Sequence, residues 1–451
     1  MDDANPSAVH EAPSGPTISD GTRALQRRAH ELIPGGAHTY AKGDDQYPQL
    51  APPFIASGRG CHVWDPDGNE YIEYAMGLRT VTLGHAWPSV LAAAEAQMRL
   101  GQNFNRPSPV EVECAESLLG LIAAADMVKF TKDGSTANSA AIKLARAYTG
   151  RDLVALCVDH PFFSYDDWAM CVTDVDAGIP RAVADLTLTF RYDDIASLEA
   201  LFEEHPGRIS CVIMEPAKYA DPSEGYLDAV KRLCHREGAL FVLDENISGF
   251  RWHARGAQHY YGVEPDLSTF GKAIANGFAL SALAGRREIM ELGGLQHDRE
   301  RVFLLSTTHG AENHALAAAV ATMRVYREEP VVERLFAAGE RLKRGCDEVI
   351  AAHGVGEHFA VTGKPCCLIF VTRGPDGRPS QPFRTLFMQE LVRGGVLAPS
   401  FIVSYSHSDA DIDHTVEVVD RALAVYARAL EDGVEPYLVG PPTKSVYRRF
   451  N

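Results

Sequence analysis

Short apolar runs alternate with stretches of helical spacing through the middle of this chain, and this alternation constrains the fold more than any other feature. The runs LVALCV (153–158), ISCVIM (209–214) and ALFVLD (239–244) have the length and composition of buried strands. Helical stretches precede the first run (ANSAAIKLARA, 137–147) and separate the last two (LDAVKRLCHREG, 227–238). Strands that alternate with helices predict an α/β fold with a mostly parallel central sheet. Ligands bind such sheets at the carboxyl ends of the strands, so we expect the functional residues just after these runs.

The two ends of the chain have a different pattern. In RGCHVWDPDGNEYIEY (59–74), two short runs flank DPDG, which is typical of an antiparallel hairpin. Beyond about residue 315 helices dominate, with LIFVTR (368–373) and FIVSYS (401–406) predicted as strands. We therefore predict a large domain and a smaller α+β domain formed by both termini. The predicted segments are a disordered N-terminal arm (1–24), an N-terminal part of the small domain (25–75), the large domain (76–315) and a C-terminal part of the small domain (316–451).

Charge and composition argue against several classes of function. The net charge of −17 argues against a general nucleic-acid-binding protein, because phosphate contacts need a basic surface. We find no apolar run long enough to span a bilayer, and the N-terminus lacks the basic start and apolar stretch of a secretory signal, so we expect no membrane partner. The nine cysteines lack the spacing of a zinc site, which predicts reduced thiols, no bound metal and a cytoplasmic location. The adjacent Cys366 and Cys367 suit a strand.

Two segments carry candidate catalytic side chains. Asp244 and Glu245 end a predicted strand, where a carboxylate can pair with a protonated nitrogen heterocycle and keep it an effective electron acceptor. Lys272 follows a glycine among small and apolar residues, a setting that lowers the pKa of an amine and frees it to attack a carbonyl. Each feature alone has a commoner explanation: a helix cap or surface ion pair for the carboxylates, and an exposed, solvated side chain for the lysine.

A third segment, FTKDGSTANSAAIKLAR (130–146), can hold a phosphate. Gly134 permits close approach of the main chain, Ser135 and Thr136 supply hydroxyls, and the following helix offers free N–H groups at its start. A plain N-cap by Ser135 or Thr136 is the simpler explanation of this segment by itself.

Taken in chain order, these features resemble the class III (fold type I) aminotransferases, which depend on pyridoxal 5′-phosphate (PLP). Lys272 lies 28 residues after Asp244, and DENISGFR (244–251) and PDLSTFGKAIANG (265–277) are similar to the subgroup of glutamate-1-semialdehyde 2,1-aminomutase and its aminotransferase relatives. The resemblance runs from about residue 25 to 430 and implies a fold type I PLP-dependent transferase. Further similar blocks are LIPGGAHTY (32–40), VWDPDGNEYIEY (63–74), LGHAWP (83–88), the pair Glu215-Pro216 and SHSDADIDHTVE (406–417).

The resemblance implies roles for individual residues. Lys272 would bind PLP covalently and carry protons, and Asp244 would pair with the pyridine nitrogen. Phe162 matches the aromatic residue that stacks on the ring, with Phe163 as the alternative if the alignment shifts by one. Thr308 matches a threonine that reaches the phosphate from the neighbouring subunit, which implies a homodimer with an active site completed across the interface. The other cofactor-binding residues implied are Gly134, Ser135, Thr136, Glu215, Asn246 and Ile247.

Several positions depart from the family pattern. Asn246 stands where Val or Ile usually packs on the ring face, and Ile247 cannot hydrogen-bond the ring hydroxyl. The family's TxSGNP is THGAEN here and lacks the proline. Leu78 and Arg79 in MGLRTV replace the aromatic MSWG segment of the aminomutase. Because these changes alter the substrate pocket, they argue against a strict glutamate-semialdehyde aminomutase.

The expected substrate follows from the same comparison. His38, Tyr40 and Arg79 lie in segments that line the substrate side in relatives, which favours a hydroxyl-rich substrate; a place at the dimer interface or the surface is an equal alternative. The blocks FTKDGSTAN, PFFSYDDW and DENISGFRW and the C-terminal RRFN are similar to relatives that aminate oxidised sugars, including those of aminoglycoside antibiotic pathways. We expect transfer of an amino group from an amino-acid donor to an aldehyde or ketone of such a sugar.

Three alternatives remain at this point. A PLP-dependent aminomutase or an epimerase at an amine-bearing carbon would use the same catalytic residues. A non-catalytic PLP-fold binding protein is disfavoured, because it would have no chemical need for both Asp244 and Lys272.

Overall fold

The protein is described here from a computed structural model, which covers residues 15–160, 164–218 and 220–450. The strands are β1 (Ser57–Arg59), β2 (His62–Trp64), β3 (Glu70–Glu73), β4 (Met127–Thr131), β5 (Leu153–Cys157), β6 (Thr187–Phe190), β7 (Ile209–Met214), β8 (Leu240–Glu245), β9 (Leu267–Phe270), β10 (Ser281–Gly285), β11 (Phe359–Thr362), β12 (Ile369–Thr372) and β13 (Val396–Leu397).

Helices occupy most of the remaining chain. They are α1 (Asp20–Leu32), α2 (Met76–Arg79), α3 (Pro88–Leu100), α4 (Pro109–Leu119), α5 (Gly134–Thr149), α6 (Asp167–Met170), α7 (Arg181–Ala184), α8 (Ile195–Glu204), α9 (Tyr226–Arg236), α10 (Gly256–Tyr261), α11 (Arg287–Met290), α12 (Asn313–Glu328), α13 (Val331–His353), α14 (Gln381–Arg393) and α15 (Asp409–Asp432). Short 3₁₀ helices cover Pro34–Gly36, Tyr40–Lys42, Asp44–Gln46, Lys272–Ala275, Glu291–Gly293, Pro365–Cys367 and Glu435–Tyr437. None of the helices in the described ranges is both long and apolar enough to cross a membrane.

A seven-stranded sheet forms the centre of the molecule. Its strand order is β4-β10-β9-β8-β7-β5-β6, and only β10 runs antiparallel to its neighbours. This confirms the mostly parallel central sheet that the alternation predicts. In β7, Cys211 and Ile213 pack on one face in a cluster with α5, whereas Val212 and Met214 pack on the other with α9. Side chains of a strand alternate between faces, so a strand covered by helices on both sides is apolar throughout.

Both ends of the chain contribute to a second, smaller sheet of order β1-β2-β3-β13. The first three strands are antiparallel, and the predicted hairpin turns at Asp65, whose carboxylate accepts a hydrogen bond from the main-chain N–H of Asn69 at 2.8 Å. β13 pairs parallel with β3, with Val396 opposite Ile72. A further hairpin joins β11 and β12. The domain boundaries inferred above remain predictions.

Three expectations about local structure are wrong. FIVSYS (401–406) is irregular and forms a single β-bridge, between Phe401 and Leu368. Its apolar residues Phe401, Ile402 and Val403 are buried. Its main-chain N–H groups donate to carbonyls of separate segments and not to one neighbouring strand. Cys366 and Cys367 lie in a 3₁₀ helix begun by Pro365, because proline suits the first helical position and cannot donate to a strand ladder.

The third concerns the N-terminal arm. Residues 20–24 of the segment predicted to be disordered belong to α1, which begins after Ser19, the hydroxyl of which accepts a hydrogen bond from the N–H of Thr22. Residues 1–14 lie outside the described ranges. All nine cysteines fall within those ranges and carry free thiols, as predicted.

Candidate active site

The carboxyl edge of the central sheet gathers the side chains that the sequence singles out. His160 follows β5, Glu215 follows β7, Asp244 lies near the end of β8, and Lys272 follows β9. Gly134 begins α5, just after β4. Parallel strands end at one edge of a sheet, so residues more than a hundred positions apart in the chain meet there.

Asp244 lies in a buried hydrogen-bond network. Its carboxylate accepts hydrogen bonds from the Asn138 amide at 2.8 Å, from the Asn246 amide at 2.7 Å and from the main-chain N–H of Asn246 at 2.9 Å. Thr269 donates its hydroxyl proton to Oδ1 of Asn138 at 2.6 Å, which fixes the orientation of that amide. Burial and the nearby charge of Glu215 raise the pKa of Asp244, while Asn246, Lys272 and Asn138 counteract the rise.

Asn138 and Thr269 are functional candidates that the sequence interpretation missed. The positions of both residues, close to other candidate site residues in the sequence, could have indicated them. Asn138 lies one helical turn after Gly134, on the same face of α5, and Thr269 lies three residues before Lys272. Both side chains are fully buried although polar, and buried polar groups are retained where they have defined partners.

Lys272 begins a 3₁₀ helix with a φ of +42°, a left-handed conformation that is uncommon for a residue with a side chain. Burial lowers the pKa of its amine. The charges of Asp244 and Glu215 oppose this, and those of Arg79 and Lys218 reinforce it. The amine is therefore deprotonated more readily than a lysine in water, as a nucleophilic lysine requires.

The start of α5 provides an anion-binding position. Asp133, not Ser135 or Thr136, is the N-cap: its carboxylate accepts hydrogen bonds from the N–H of Thr136 at 2.8 Å and from the Thr136 hydroxyl at 3.0 Å. No residue in the described ranges accepts a hydrogen bond from the main-chain N–H groups of Gly134 and Ser135. Free N–H groups at the first turn of a sixteen-residue helix attract an anion.

Asn246 lies between the segments that contain Gly134 and Gly271. A Cβ at Gly134 would lie 2.6 Å from Oδ1 of Asn246, and a Cβ at Gly271 would clash with the same atom. This oxygen is buried and has no hydrogen-bond partner among the described residues. Both glycines are therefore needed for the main chain to close around Asn246.

Other predicted cofactor residues are more dispersed. Glu215 is buried and pairs with Lys218 at 3.0 Å. Ile247 is half-buried against the main core. Thr308 is exposed, and its carbonyl accepts a hydrogen bond from Asn103 at 3.0 Å; within the single chain it does not join the cluster. Phe162 and its alternative Phe163 lie outside the described residues.

A cavity of about 820 Å³ lies between α1, the small sheet and the C-terminal segment. Gly77 and Leu78 of α2 line it, whereas Gly134, His160, Glu215, Asp244 and Lys272 do not. Of the predicted substrate residues, His38 lines it, Tyr40 is 71% exposed and does not, and Arg79 directly follows the lining residues Gly77 and Leu78. Its polar lining residues include Arg23, Gln26, His30, Lys42, Asp44, Glu73, His85 and Lys444.

Comparison with known proteins identifies the family. Residues 44–423 match the family model "Aminotransferase class-III". The chain belongs to the class III aminotransferases. It is 34% identical over 426 residues to glutamate-1-semialdehyde 2,1-aminomutase from Acetivibrio thermocellus. The aligned region covers 89% of this chain and 97% of that protein.

Solved structures of class III aminotransferases and related enzymes have the same fold. The PLP internal aldimine form of the FumI protein from Sphingopyxis sp. MTA144 superposes with a TM-score of 0.84 at 30% identity, covering 92% of this chain and 98% of that one. An omega-transaminase from Sphaerobacter thermophilus gives a TM-score of 0.81 at 26% identity, covering 90% and 98%. The fold is that of the fold type I PLP-dependent transferases, and this class III aminotransferase is a PLP-dependent enzyme.

The residues at the sheet edge fit PLP. A phosphate needs N–H donors at a helix start, and those of Gly134 and Ser135 are available. A pyridine nitrogen needs a buried carboxylate, and Asp244 retains acceptor capacity beyond its three close hydrogen bonds. An aldehyde needs an amine with a lowered pKa, which Lys272 provides.

Proposed function

We propose that this class III aminotransferase moves an amino group from an amino-acid donor to the aldehyde or ketone of an oxidised sugar, such as an aminoglycoside intermediate in antibiotic biosynthesis. The cavity of about 820 Å³ is the observation that carries the proposal. Its volume lies in the upper part of the range of roughly 300–1,000 Å³ for small-molecule sites, and its wall carries hydrogen-bonding side chains of both charges. The wall is largely apolar, and its hydrogen-bonding side chains can orient the hydroxyl and ammonium groups of a ring system packed against the apolar part.

Each of the proposed catalytic and cofactor-binding residues has a separate role. Lys272 would bind the cofactor, and its amine would take the proton from the substrate carbon and return it. Asp244 would pair with the pyridine nitrogen and favour its protonated form. Gly134 and Ser135, with Thr136 close by, would hold the phosphate. When bound, PLP supplies a ring that withdraws electrons from the bond broken at the substrate carbon.

Asn246, Ile247 and Glu215 have supporting places in this proposal. Asn246 holds the Asp244 carboxylate, with its amide 2.7 Å from Oδ1. Ile247 follows it directly and supplies apolar contact. Glu215 acts through charge, since it raises the pKa of Asp244 and opposes the lowering of the pKa of Lys272. Phe162 keeps its proposed role as the residue that stacks on the ring.

We also propose a homodimer in which Thr308 of one subunit reaches the phosphate site of the other. Thr308 is exposed and is linked to the loop that carries Phe104, and the apolar side chains of Phe104, Leu100 and Phe303 are 52%, 74% and 70% exposed. Exposed apolar side chains near Thr308 support a subunit interface at this place. Sedimentation should show a dimer, and Thr308→Ala should weaken PLP binding by about tenfold without dissociating it. With its free thiols, the enzyme is proposed to act in the cytoplasm.

An intramolecular aminomutase is the second candidate, and the 34% identity to the aminomutase from Acetivibrio thermocellus favours it. That enzyme would need no external donor. An epimerase would use the same lysine at one amine-bearing carbon.

The absorption spectrum of the purified protein separates these reactions. In the aminotransferase, the band of the lysine-bound cofactor should convert to that of the aminated cofactor when glutamate, glutamine or alanine is added singly, and an oxidised aminoglycoside should reverse the change. Lys272→Ala should show no such cycle. A band that no donor converts, together with solvent exchange of the carbon-bound proton of an aminated sugar, would establish the epimerase; glutamate 1-semialdehyde as sole substrate would establish the aminomutase.

A further inference from the structure

Three potential metal ligands meet beside the small sheet. Cys61 lies in the tight turn between β1 and β2, His62 begins β2, and Asp411 lies in the first turn of α15. A sulfur, an imidazole nitrogen and a carboxylate oxygen, one atom from each residue, all lie within 4.8 Å of one another. Asp411 is 350 residues from Cys61 in the chain, so the cysteine spacing that argues against a zinc site has no bearing on this cluster.

The distances within the cluster suit a single small cation. Nε2 of His62 is 3.1 Å from Oδ1 of Asp411, and Sγ of Cys61 is 3.5 Å from Oδ2 of the same carboxylate. Zn²⁺ binds nitrogen and oxygen at about 2.0–2.1 Å and sulfur at about 2.3 Å in tetrahedral geometry, which places neighbouring ligand atoms about 3.3–3.6 Å apart. The three side chains therefore need only small movements to surround an ion.

The charges around His62 favour a cation over a plain hydrogen-bonded cluster. On the other side of the ring, Nδ1 of His62 lies 2.7 Å from Oε1 of Glu70, although the two atoms are not aligned for a hydrogen bond. Two carboxylates thus converge on one imidazole, and within the described ranges neither Glu70 nor Asp411 pairs with a lysine or arginine. A metal-bound histidine commonly has a carboxylate beside its second ring nitrogen, and Glu70 occupies that position.

The segments that carry these side chains are fixed by other contacts. The carboxylate of Asp411 accepts hydrogen bonds from the N–H of Ser408 at 2.8 Å and from its hydroxyl at 2.6 Å, in the capping box of α15. The carbonyl of Ser406 lies 3.7 Å from Sγ of Cys61, and no main-chain N–H of the described residues donates to it. A Cβ at Gly84 would clash with the Ser406 side chain, so this carbonyl is held beside the cluster as a further oxygen ligand.

We propose that Cys61, His62 and Asp411 bind Zn²⁺, with the carbonyl of Ser406 or a water molecule as the fourth ligand, and that the ion fastens β2 to the start of α15. A thiolate, an imidazole and a carboxylate together suit Zn²⁺, whereas Mg²⁺ and Ca²⁺ prefer oxygen ligands alone. The sulfur is 2% exposed as part of Cys61, whereas the His62 side chain is 32% exposed and gives the ion access.

Binding of the ion replaces a proton. Burial and the charge of Asp411 raise the pKa of Cys61, so the thiol keeps its proton without the ion and donates it to Asp411. When the sulfur–zinc bond forms, that proton passes to the solvent. None of the residues proposed to bind PLP belongs to the cluster, so the role of the ion is structural.

Titration of the untagged holoenzyme with ZnCl₂ tests the site. After treatment with a chelator, the wild type should bind one Zn²⁺ per chain, as measured by calorimetry and metal analysis. Cys61→Ser and His62→Gln each remove one ligand and should raise the Kd at least about 100-fold. Cys366→Ser is the matched control, because Cys366 is a buried free cysteine outside any group of metal ligands in the described part of the chain, and its Kd should equal that of the wild type.

Thermal unfolding adds a second readout. ZnCl₂ should raise the melting temperature of the wild type and of Cys366→Ser, because an ion that binds only the folded chain stabilises it. The melting temperatures of Cys61→Ser and His62→Gln should not respond. Cofactor absorption should be the same in all four proteins, since the substitutions lie outside the PLP-binding residues.

Two results would overturn the zinc site. One is a wild type that binds no Zn²⁺. The other is a Kd that is the same in the wild type, Cys61→Ser and His62→Gln, because the ion would then be bound by other histidines and carboxylates of the surface. If Cys61→Ser does not fold, His62→Gln, which alters a partly exposed side chain, decides the question by itself.

Discussion

Two neighbouring carboxylates at the end of β8 have opposite surroundings. Asp244 is 4% exposed and Glu245 is fully buried, and burial raises the pKa of both. Their side chains point to opposite faces of the sheet because they are adjacent in a strand. Burial and pKa therefore do not distinguish Asp244, the proposed catalytic carboxylate, from Glu245.

Their partners do distinguish them. Glu245 accepts hydrogen bonds from the main-chain N–H groups of Ala257 and Gln258 at the start of α10 and from the Gln258 amide at 2.9 Å. Its acceptor capacity is used inside the protein, and it anchors a helix. Asp244 is held by the side chains of Asn138 and Asn246 and remains next to Lys272. A carboxylate that is oriented by side chains and keeps acceptor capacity beyond these bonds can accept a further hydrogen bond from a ligand.

Replacement of Asp244 should have the largest effect on activity. Asp244→Ala removes the charge that keeps the bound heterocycle protonated, so we expect kcat to fall at least about a hundredfold. The melting temperature should fall less than in Glu245→Ala, because the loss of three hydrogen bonds is partly offset by removal of a buried charge. Single-turnover rates and thermal unfolding measure the two effects. Activity within tenfold of the wild type would remove Asp244 from the catalytic site.

Replacement of the neighbouring Glu245 by alanine should reduce stability and leave activity nearly unchanged. Glu245→Ala leaves the N–H groups at the start of α10 without an acceptor in a dry interior, so we expect the free energy of unfolding to fall by about 3 kcal/mol. At a temperature where the variant is folded, kcat should stay within about threefold. Urea denaturation measures the loss, and a large loss of kcat in folded Glu245→Ala would show that the two faces are coupled.

The sequence predicted some of the strands and residues in this comparison and not others. The apolar runs predicted β7 and β8 because strands buried on both faces are apolar throughout. Local chemistry made Asp244 and Lys272 candidates, and the resemblance to the class III family favoured their functional over their commoner explanation. Neither predicted Asn138, because its contact with Asp244 spans 106 residues and depends on how α5 packs against the sheet. Local propensity equally gives no sign of the positive φ values of Met76–Arg79, and the Arg251 side chain that bonds the carbonyl of Arg79 is 172 residues away in the chain.

One glycine lies beside Asn246, a partner of Asp244, and one beside Glu245, and substitution of each glycine tests the difference between the two carboxylates. A Cβ at Gly134 would lie 2.6 Å from Oδ1 of Asn246. Gly134→Ala should therefore displace Asn246 from Asp244 and raise the Kd for PLP by about tenfold, with a loss of stability of about 1 kcal/mol. PLP titration followed by fluorescence measures the affinity.

Gly256→Ala is the matched variant on the structural face. Gly256 has a φ of +82°, and an added Cβ would lie 2.8 Å from Oε1 of Glu245. We expect a loss of stability of about 1–2 kcal/mol and an unchanged Kd for PLP. Equal effects of the two alanines on cofactor affinity would contradict a division between the faces.

The smallest expected effect is a shift in pH dependence. The hydrogen bond from Asn138 helps to keep the pKa of Asp244 down, against burial and the charge of Glu215. Asn138→Ala removes that bond, so the pKa of Asp244 rises further and a larger fraction of the carboxyl is protonated at low pH. The acid limb of kcat/KM should then move to higher pH by up to about one unit.

Gln258→Ala supplies the control for this shift, because it removes the corresponding amide donor to Glu245 on the other face. Stability should fall by about 1 kcal/mol while the acid limb stays in place. Thr269→Val, which releases Asn138 from its fixed orientation, should give a shift in the same direction as Asn138→Ala but smaller. An acid limb that moves equally in Asn138→Ala and Gln258→Ala would mean that it reports folding and not the ionisation of Asp244.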